Sequence, residues 1–215
     1  MNDEDDDDEE VDDGSDEVAD AHLADGLAQI WEAYRVDDMP RALAAGKGLV
    51  ADRPDHGESW YWFGCVHERM RNYRIADKAF AKASHAKVEA QSLPFRVSWR
   101  HFQHAVEAAG DALPEKLRKS LEEVTLILSD YAEPILLEGF DEPEVLGLFV
   151  GEERGDLETG GSPTLSPRIY LFRRAHEHSA TSRREFDLEV QQTLYHELGH
   201  YLGYDEDELD ALGRG

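Results

Sequence analysis

The pentapeptide His196-Glu197-Leu198-Gly199-His200 constrains this chain more than any other feature of it. On a helix, two histidines four residues apart share one face, one turn apart. Both imidazoles can then meet a single Zn²⁺ at about 2.0–2.1 Å. Glu197 need not be a ligand; it is placed to take a proton from a metal-activated water. The preceding segment predicts the required helix. Ser182 and Glu185 make a Ser-x-x-Glu capping box, Phe186, Val190 and Leu194 recur at i, i+4 and i+8, and Gly203 is suited to stop the helix. His196 and His200 are therefore candidate metal ligands and Glu197 a candidate general base. A hydrolytic zinc site needs a third protein ligand and one open position. The carboxylates of Asp205, Glu206 and Asp207 lie just past the glycine, where they would equally favour the start of a short helix over 205–212.

Upstream of this helix the period changes. Pro94 marks a boundary, followed by helical stretches over Val97–Ala109 and Pro114–Glu123. Val124–Ser129, Val145–Val150 and Arg168–Phe172 read as short apolar strands, and Gly151–Pro167 as a loop. Helices, short strands, one long helix and a short tail helix make an α+β domain over residues 93–215.

From Ala21 to about Gln91 the pattern is helical, broken at Asp52-Arg53-Pro54-Asp55, and residues 21–92 are expected to form one module. Leu23, Leu27, Ile30, Trp31 and Tyr34 fall at helical spacing, Pro40 suits the first turn of a second helix ending near Ala51, and two further helices follow. Trp60, Phe63, Gly64, Ala76, Phe80 and Ala83 match the signposts of a tetratricopeptide repeat, whose period is about 34 residues. The unit before it keeps Ala42 and Pro54 but lacks the aromatic and glycine signposts. The expectation is a repeat-like helical module with a surface on which a protein partner can dock.

Charge excludes some partners. Asp and Glu outnumber Lys and Arg 48 to 22, a formal net charge of −26. With no basic stripe, binding to nucleic acid through phosphates is not expected. Residues 1–20 hold an unbroken acidic run from Asp3 to Glu10, no aromatic residue, and only Val11 and Val18 as branched apolar residues. Such a segment buries too little to offset its ordering entropy, so a disordered acidic tail is expected. Cys65 is the only cysteine, no secretory signal opens the chain and no run approaches a membrane span, which together point to a cytoplasmic protein.

Other histidines compete for attention. His176 and His178 form His-x-His after a strand, and His101 and His104 lie i, i+3 on a helix. Loop and helix-edge histidines are commonplace, so neither pair is expected to bind metal. Cys65 reads as a small core residue, and Trp60, Trp62 and Phe63 as helix packing.

From about Trp99 to Gly213 the chain resembles the minimal zincin-like metallopeptidase family of bacteria. The resemblance rests on Phe102 with Leu113-Pro114-Glu115, on Leu146-Gly147-Leu148-Phe149, and on Pro167-Arg168-Ile169-Tyr170-Leu171-Phe172. It is strongest over Thr193-Leu194-Tyr195-His196-Glu197-Leu198-Gly199-His200-Tyr201-Leu202-Gly203, with Glu208-Leu209 and Leu212-Gly213 closing the match. The resemblance implies a small sheet packed on the active-site helix, zinc held by His196 and His200, and Glu197 as the base. It implies a third ligand three residues after Gly203, at Glu206, where the family usually has Asp or His; Asp205 and Asp207 flank it as alternatives. No Met follows His200, so the Met-turn of the metzincins is absent.

The function expected is a zinc-dependent, peptidase-like hydrolase acting on a peptide or protein substrate. The alternative is a helical interaction module carrying a structural or weakly active zinc domain. Strand Arg168–Phe172 is the expected edge for an extended substrate.

Overall fold

The computed structural model describes residues 14–140, 142–155 and 165–211. Helix α1 (Gly14–Arg35) begins inside the segment expected to be unstructured; residues 1–13 lie outside the described residues. Its C-terminal half is anchored by buried Leu27, Ile30, Ala33 and Tyr34. A helix so nucleated extends backwards at one hydrogen bond per residue, without needing burial in every turn. Helices α2 (Met39–Asp52), α3 (Gly57–Arg69) and α4 (Tyr73–Ser84) follow, each packed on its predecessor. A methyl on Gly64 would lie 2.7 Å from the Phe80 ring, so glycine lets α3 and α4 approach closely.

Helices α5 (Trp99–Asp111) and α6 (Glu115–Leu121) lead into three strands, β1 (Thr125–Ser129), β2 (Gly147–Val150) and β3 (Arg168–Phe172). Helix α7 (Arg173–Ser179) follows directly, then α8 (Arg183–Tyr201) and α9 (Glu206–Ala211). A 3-10 turn, Pro134–Leu137, lies between β1 and β2.

The sheet order is β1-β3-β2, with β1 parallel and β2 antiparallel to β3. This corrects one expectation: β3 is the central strand, its backbone hydrogen bonds taken on both sides, so it offers no edge to a substrate. Among the described residues, the strand beside α8 with an unpaired edge is β2.

Two large apolar cores form, with a smaller cluster of Ala132, Leu137, Phe172 and Ala175 beside the sheet. One joins α1–α4 through Ile30, Tyr34, Leu49, Trp62, Cys65 and Phe80. The other seats α8 against α5 and the sheet through Phe102, Ile169, Leu171, Phe186, Val190 and Leu194. Between them lies a buried charged junction. Glu68 on α3 takes Arg174 Nη1 at 3.4 Å, His178 Nε2 at 2.8 Å and Arg96. Glu177, fully buried, takes Arg174 at 2.6 Å, Arg96 at 2.9 Å and the Val97 backbone N–H at 3.0 Å. Among the described residues no helix is long and apolar enough to cross a membrane.

Candidate metal centre

Helix α8 starts where the capping residues require. The Ser182 hydroxyl accepts from Glu185 N at 3.2 Å, and the Glu185 carboxylate reaches back to Thr181 N at 2.8 Å. Phe186, Val190, Leu194 and Leu198 then bury one face. That fixes the rotation of the helix and turns His196 and His200 together to the other side. Their Nε2 atoms are 3.0 Å apart.

The chain turns at Gly203, whose φ of +86° suits a residue without a side chain. It re-enters a helix at α9. The Asp205 carboxylate accepts from Glu208 N at 2.9 Å, and the Glu208 carboxylate accepts from Asp205 N at 3.1 Å, a reciprocal cap. Asp205 is thereby occupied. Glu206 Oε1 lies 3.3 Å from His200 Nε2 and Glu206 Oε2 3.5 Å from His196 Nε2. Among the described residues, His196, His200 and Glu206 are the one group of three metal-ligating side chains whose donor atoms fall within 4.8 Å of one another.

The chemistry of this donor set fits zinc. Ligands about 2.05 Å from a tetrahedral centre stand roughly 3.3 Å apart; the two imidazole nitrogens are 3.0 Å apart, and the Glu206 carboxylate approaches them through different oxygens, at 3.3 and 3.5 Å. The second imidazole nitrogen of His200, Nδ1, faces the Tyr204 carbonyl at 3.2 Å. A carbonyl only accepts, so Nδ1 carries the proton and the Nε2 lone pair is left for a metal. Sequence reading missed Tyr204, because a backbone carbonyl leaves no mark in residue type.

Glu197 is 7% exposed. Burial pushes its carboxyl up to about 7; hydrogen bonding to the Phe149 backbone opposes this, and the nearby Glu206 carboxylate adds to it. Phe149 is on β2. A Cβ added at Gly147, two residues earlier, would sit 2.5 Å from Thr193 Cγ2 and 3.1 Å from Glu197 Cγ. Glycine there lets β2 lie against the face of α8 that carries Thr193 and Glu197. Gly147, Thr193, His196 and Glu197 line an open cleft of about 390 Å³.

The competing histidines go elsewhere. His176 and His178 lie on α7 rather than on a loop. His176 is fully buried, with Nδ1 2.8 Å from Phe172 O and Nε2 3.1 Å from Thr193 Oγ1. His178 points the other way, to Glu68 and to the Tyr61 hydroxyl at 2.9 Å. His101 pairs with Asp187 at 2.7 Å, and His104 is exposed. Cys65 is buried in the helical core.

No curated protein matches this chain. Residues 121–215, from the end of α6 through the sheet, α8 and α9, match the model of the zincin-like metallopeptidase family.

Proposed function

We propose that the chain is a zinc-dependent, peptidase-like hydrolase in which His196, His200 and Glu206 hold the ion and Glu197 is the general base. The observation that carries this reading is the convergence of His196, His200 and Glu206, with donor atoms within 4.8 Å of one another, beside the buried carboxyl of Glu197. A zinc ion held there supplies Lewis acidity toward a water molecule and the scissile carbonyl. Glu197 takes the proton from that water and delivers it to the leaving amine nitrogen. A carboxyl tuned to about 7 can do both near neutral pH. The free edge of β2 supports an extended substrate pairing there. Leu146 O accepts from Phe172 N at 2.9 Å and so faces β3, which turns the Gly147 N–H and C=O outward toward the cleft.

The matching part of the chain is similar to metallopeptidases, and a peptide or protein substrate follows from that similarity. We read α1–α4 as a repeat-like module and residues from about 93 onward as the catalytic domain, supported by the two separate cores. A second reading places a protein partner on the module. It is favoured by Met70, Tyr73 and Ile75, apolar and exposed around the α3–α4 turn.

The test is metal content by elemental mass spectrometry on wild type, His196→Ala, Glu206→Ala and Glu197→Gln. About one zinc per chain is expected in wild type and Glu197→Gln, with loss in the two ligand variants. Glu197→Gln should also abolish turnover of a peptide library. A cellular role that survives Glu197→Gln would favour the partner-binding reading.

A further inference from the structure

The catalytic cleft does not end at the edge of its own domain. Val145 and Leu146, which border it beside Gly147, also line a second groove of about 540 Å³ whose far wall is the helical module. Trp31, Tyr61 and Trp62 form that wall, facing Val145, Leu146 and Ala175. The aromatic wall is rigid. Trp31 and Trp62 meet edge to face with centroids 5.6 Å apart, and Tyr61 is pinned by its hydrogen bond to His178.

Each stretch of this continuous groove holds an unpartnered buried polar atom. Trp31 Nε1 is buried without an acceptor. By contrast, Trp60 Nε1 donates to Pro54 O at 2.8 Å and Trp62 is hydrogen-bonded to Glu58. In the catalytic stretch Glu189 Oε2 is buried without a donor. Buried indole N–H groups and carboxylate oxygens normally find partners. Neither atom is open to an incoming chain, so recognition rests on the aromatic wall and the charge of the rim.

We propose that the helical module completes the substrate-binding cleft. Its aromatic groove takes a large apolar side chain of an extended polypeptide, a few residues from the position that lies opposite Gly147. Val145 is about 7 Å from Gly147 along an extended chain, so the anchored residue falls roughly two to four positions away. This rests on the peptidase-like reading of the cleft. The occupant is substrate rather than the chain's own acidic N-terminus, because Glu142 and Glu144 line the groove and Glu189 lines the cleft it continues. These carboxylates repel an acidic segment and favour apolar residues flanked by Lys or Arg.

The test uses full-length Glu197→Gln protein and, in parallel, wild type held in chelator. The probes are blocked twelve-residue peptides of Ala, Ser and Lys with a single p-benzoylphenylalanine walked through the sequence. After irradiation, adducts are located by mass spectrometry. One or two adjacent probe positions should label Trp31, Tyr61, Trp62 or Val145. Trp31→Ala should weaken that peptide roughly tenfold, while Trp60→Ala, outside the groove, leaves it unchanged. Labelling confined to the His196–Glu197 cleft, or none at any position, would overturn the proposal. Cleavage of the same peptides by zinc-loaded wild type reports separately on the peptidase-like reading. Groove labelling without cleavage sinks that reading alone; cleavage without groove labelling sinks the proposal alone.

Discussion

A methyl group on Gly199 would lie 2.4 Å from Cδ2 of Leu209. The glycine inside the His-Glu-x-x-His segment is therefore the floor on which α9 rests. Leu209 is 2% exposed and is the apolar anchor of that short helix, and α9 opens with Glu206. Packing at Gly199 thus sets where the Glu206 carboxylate stands relative to the two imidazoles.

Gly199→Ala should weaken zinc retention while leaving α8 intact, since alanine is the better helix former. Zinc affinity measured by competition with a chelating dye is expected to fall at least about tenfold, in the range seen when supporting groups of a metal site are lost. Leu209→Val in the Gly199→Ala background removes a methylene from the clash and should recover part of the loss. If Gly199→Ala holds zinc as tightly as wild type, α9 does not position Glu206 through this contact.

The parts of the fold legible in the sequence are those with a local cause. Helix α8 declared itself through Ser182, Glu185 and the run Phe186, Val190, Leu194, and strand Arg168–Phe172 through an apolar run bounded by Pro167. What was illegible depends on tertiary neighbours. A five-residue apolar strand looks the same at the centre of a sheet as at its edge, so the sequence does not show that β3 is the central strand and β2 an outer one. Helix α7, Arg-Arg-Ala-His-Glu-His-Ser, carries no apolar period; its burial comes from charges on Arg174 and Glu177 that pair across to Glu68 and Arg96. Spacing left three carboxylates after Gly203 as alternatives. The reciprocal cap between Asp205 and Glu208 occupies the first of them, which residue types alone did not reveal.

His176 gives stability a pH dependence whose sign can be worked out. Its imidazole is fully buried, and burial lowers its pKa to about 4 from 6.5, partly opposed by the hydrogen bond to Phe172 O. Between these values the unfolded chain binds a proton that the folded chain does not. Stability from this group is complete above pH 6.5 and is lost as pH falls toward 4. From pH 7 to pH 5 the loss is about 2 kcal/mol. The raised carboxyl of Glu197 works in the opposite direction over the same range, so urea unfolding in chelator is read as a difference: wild type should lose about 2 kcal/mol more than His176→Gln between pH 7 and pH 5. Equal pH slopes in the two proteins would mean that His176 is not held neutral.

The junction of Glu68, Arg96, Arg174, Glu177 and His178 should make the helical module and the catalytic domain unfold together. Glu177 is fully buried and balances Arg174 and Arg96 while accepting the Val97 N–H. Glu177→Ala leaves Arg174 and Arg96 to share the one carboxylate of Glu68 and leaves a backbone donor unpaired, a loss that approaches about 3–5 kcal/mol, the cost of removing one partner of a buried pair. Glu177→Gln keeps the volume and one acceptor and should cost less. Two probes separate the domains during guanidinium unfolding. Tryptophan emission reports mainly on the module, which holds Trp31, Trp60 and Trp62. Hydrogen exchange at the backbone amides of β3 and α8 reports on the catalytic side. In wild type the two should follow one transition, because separating the domains exposes Glu68 and Glu177 together with their cations. In Glu177→Ala the module should retain structure at denaturant concentrations where β3 and α8 already exchange. Two separate transitions in wild type would show that the junction does not couple the domains.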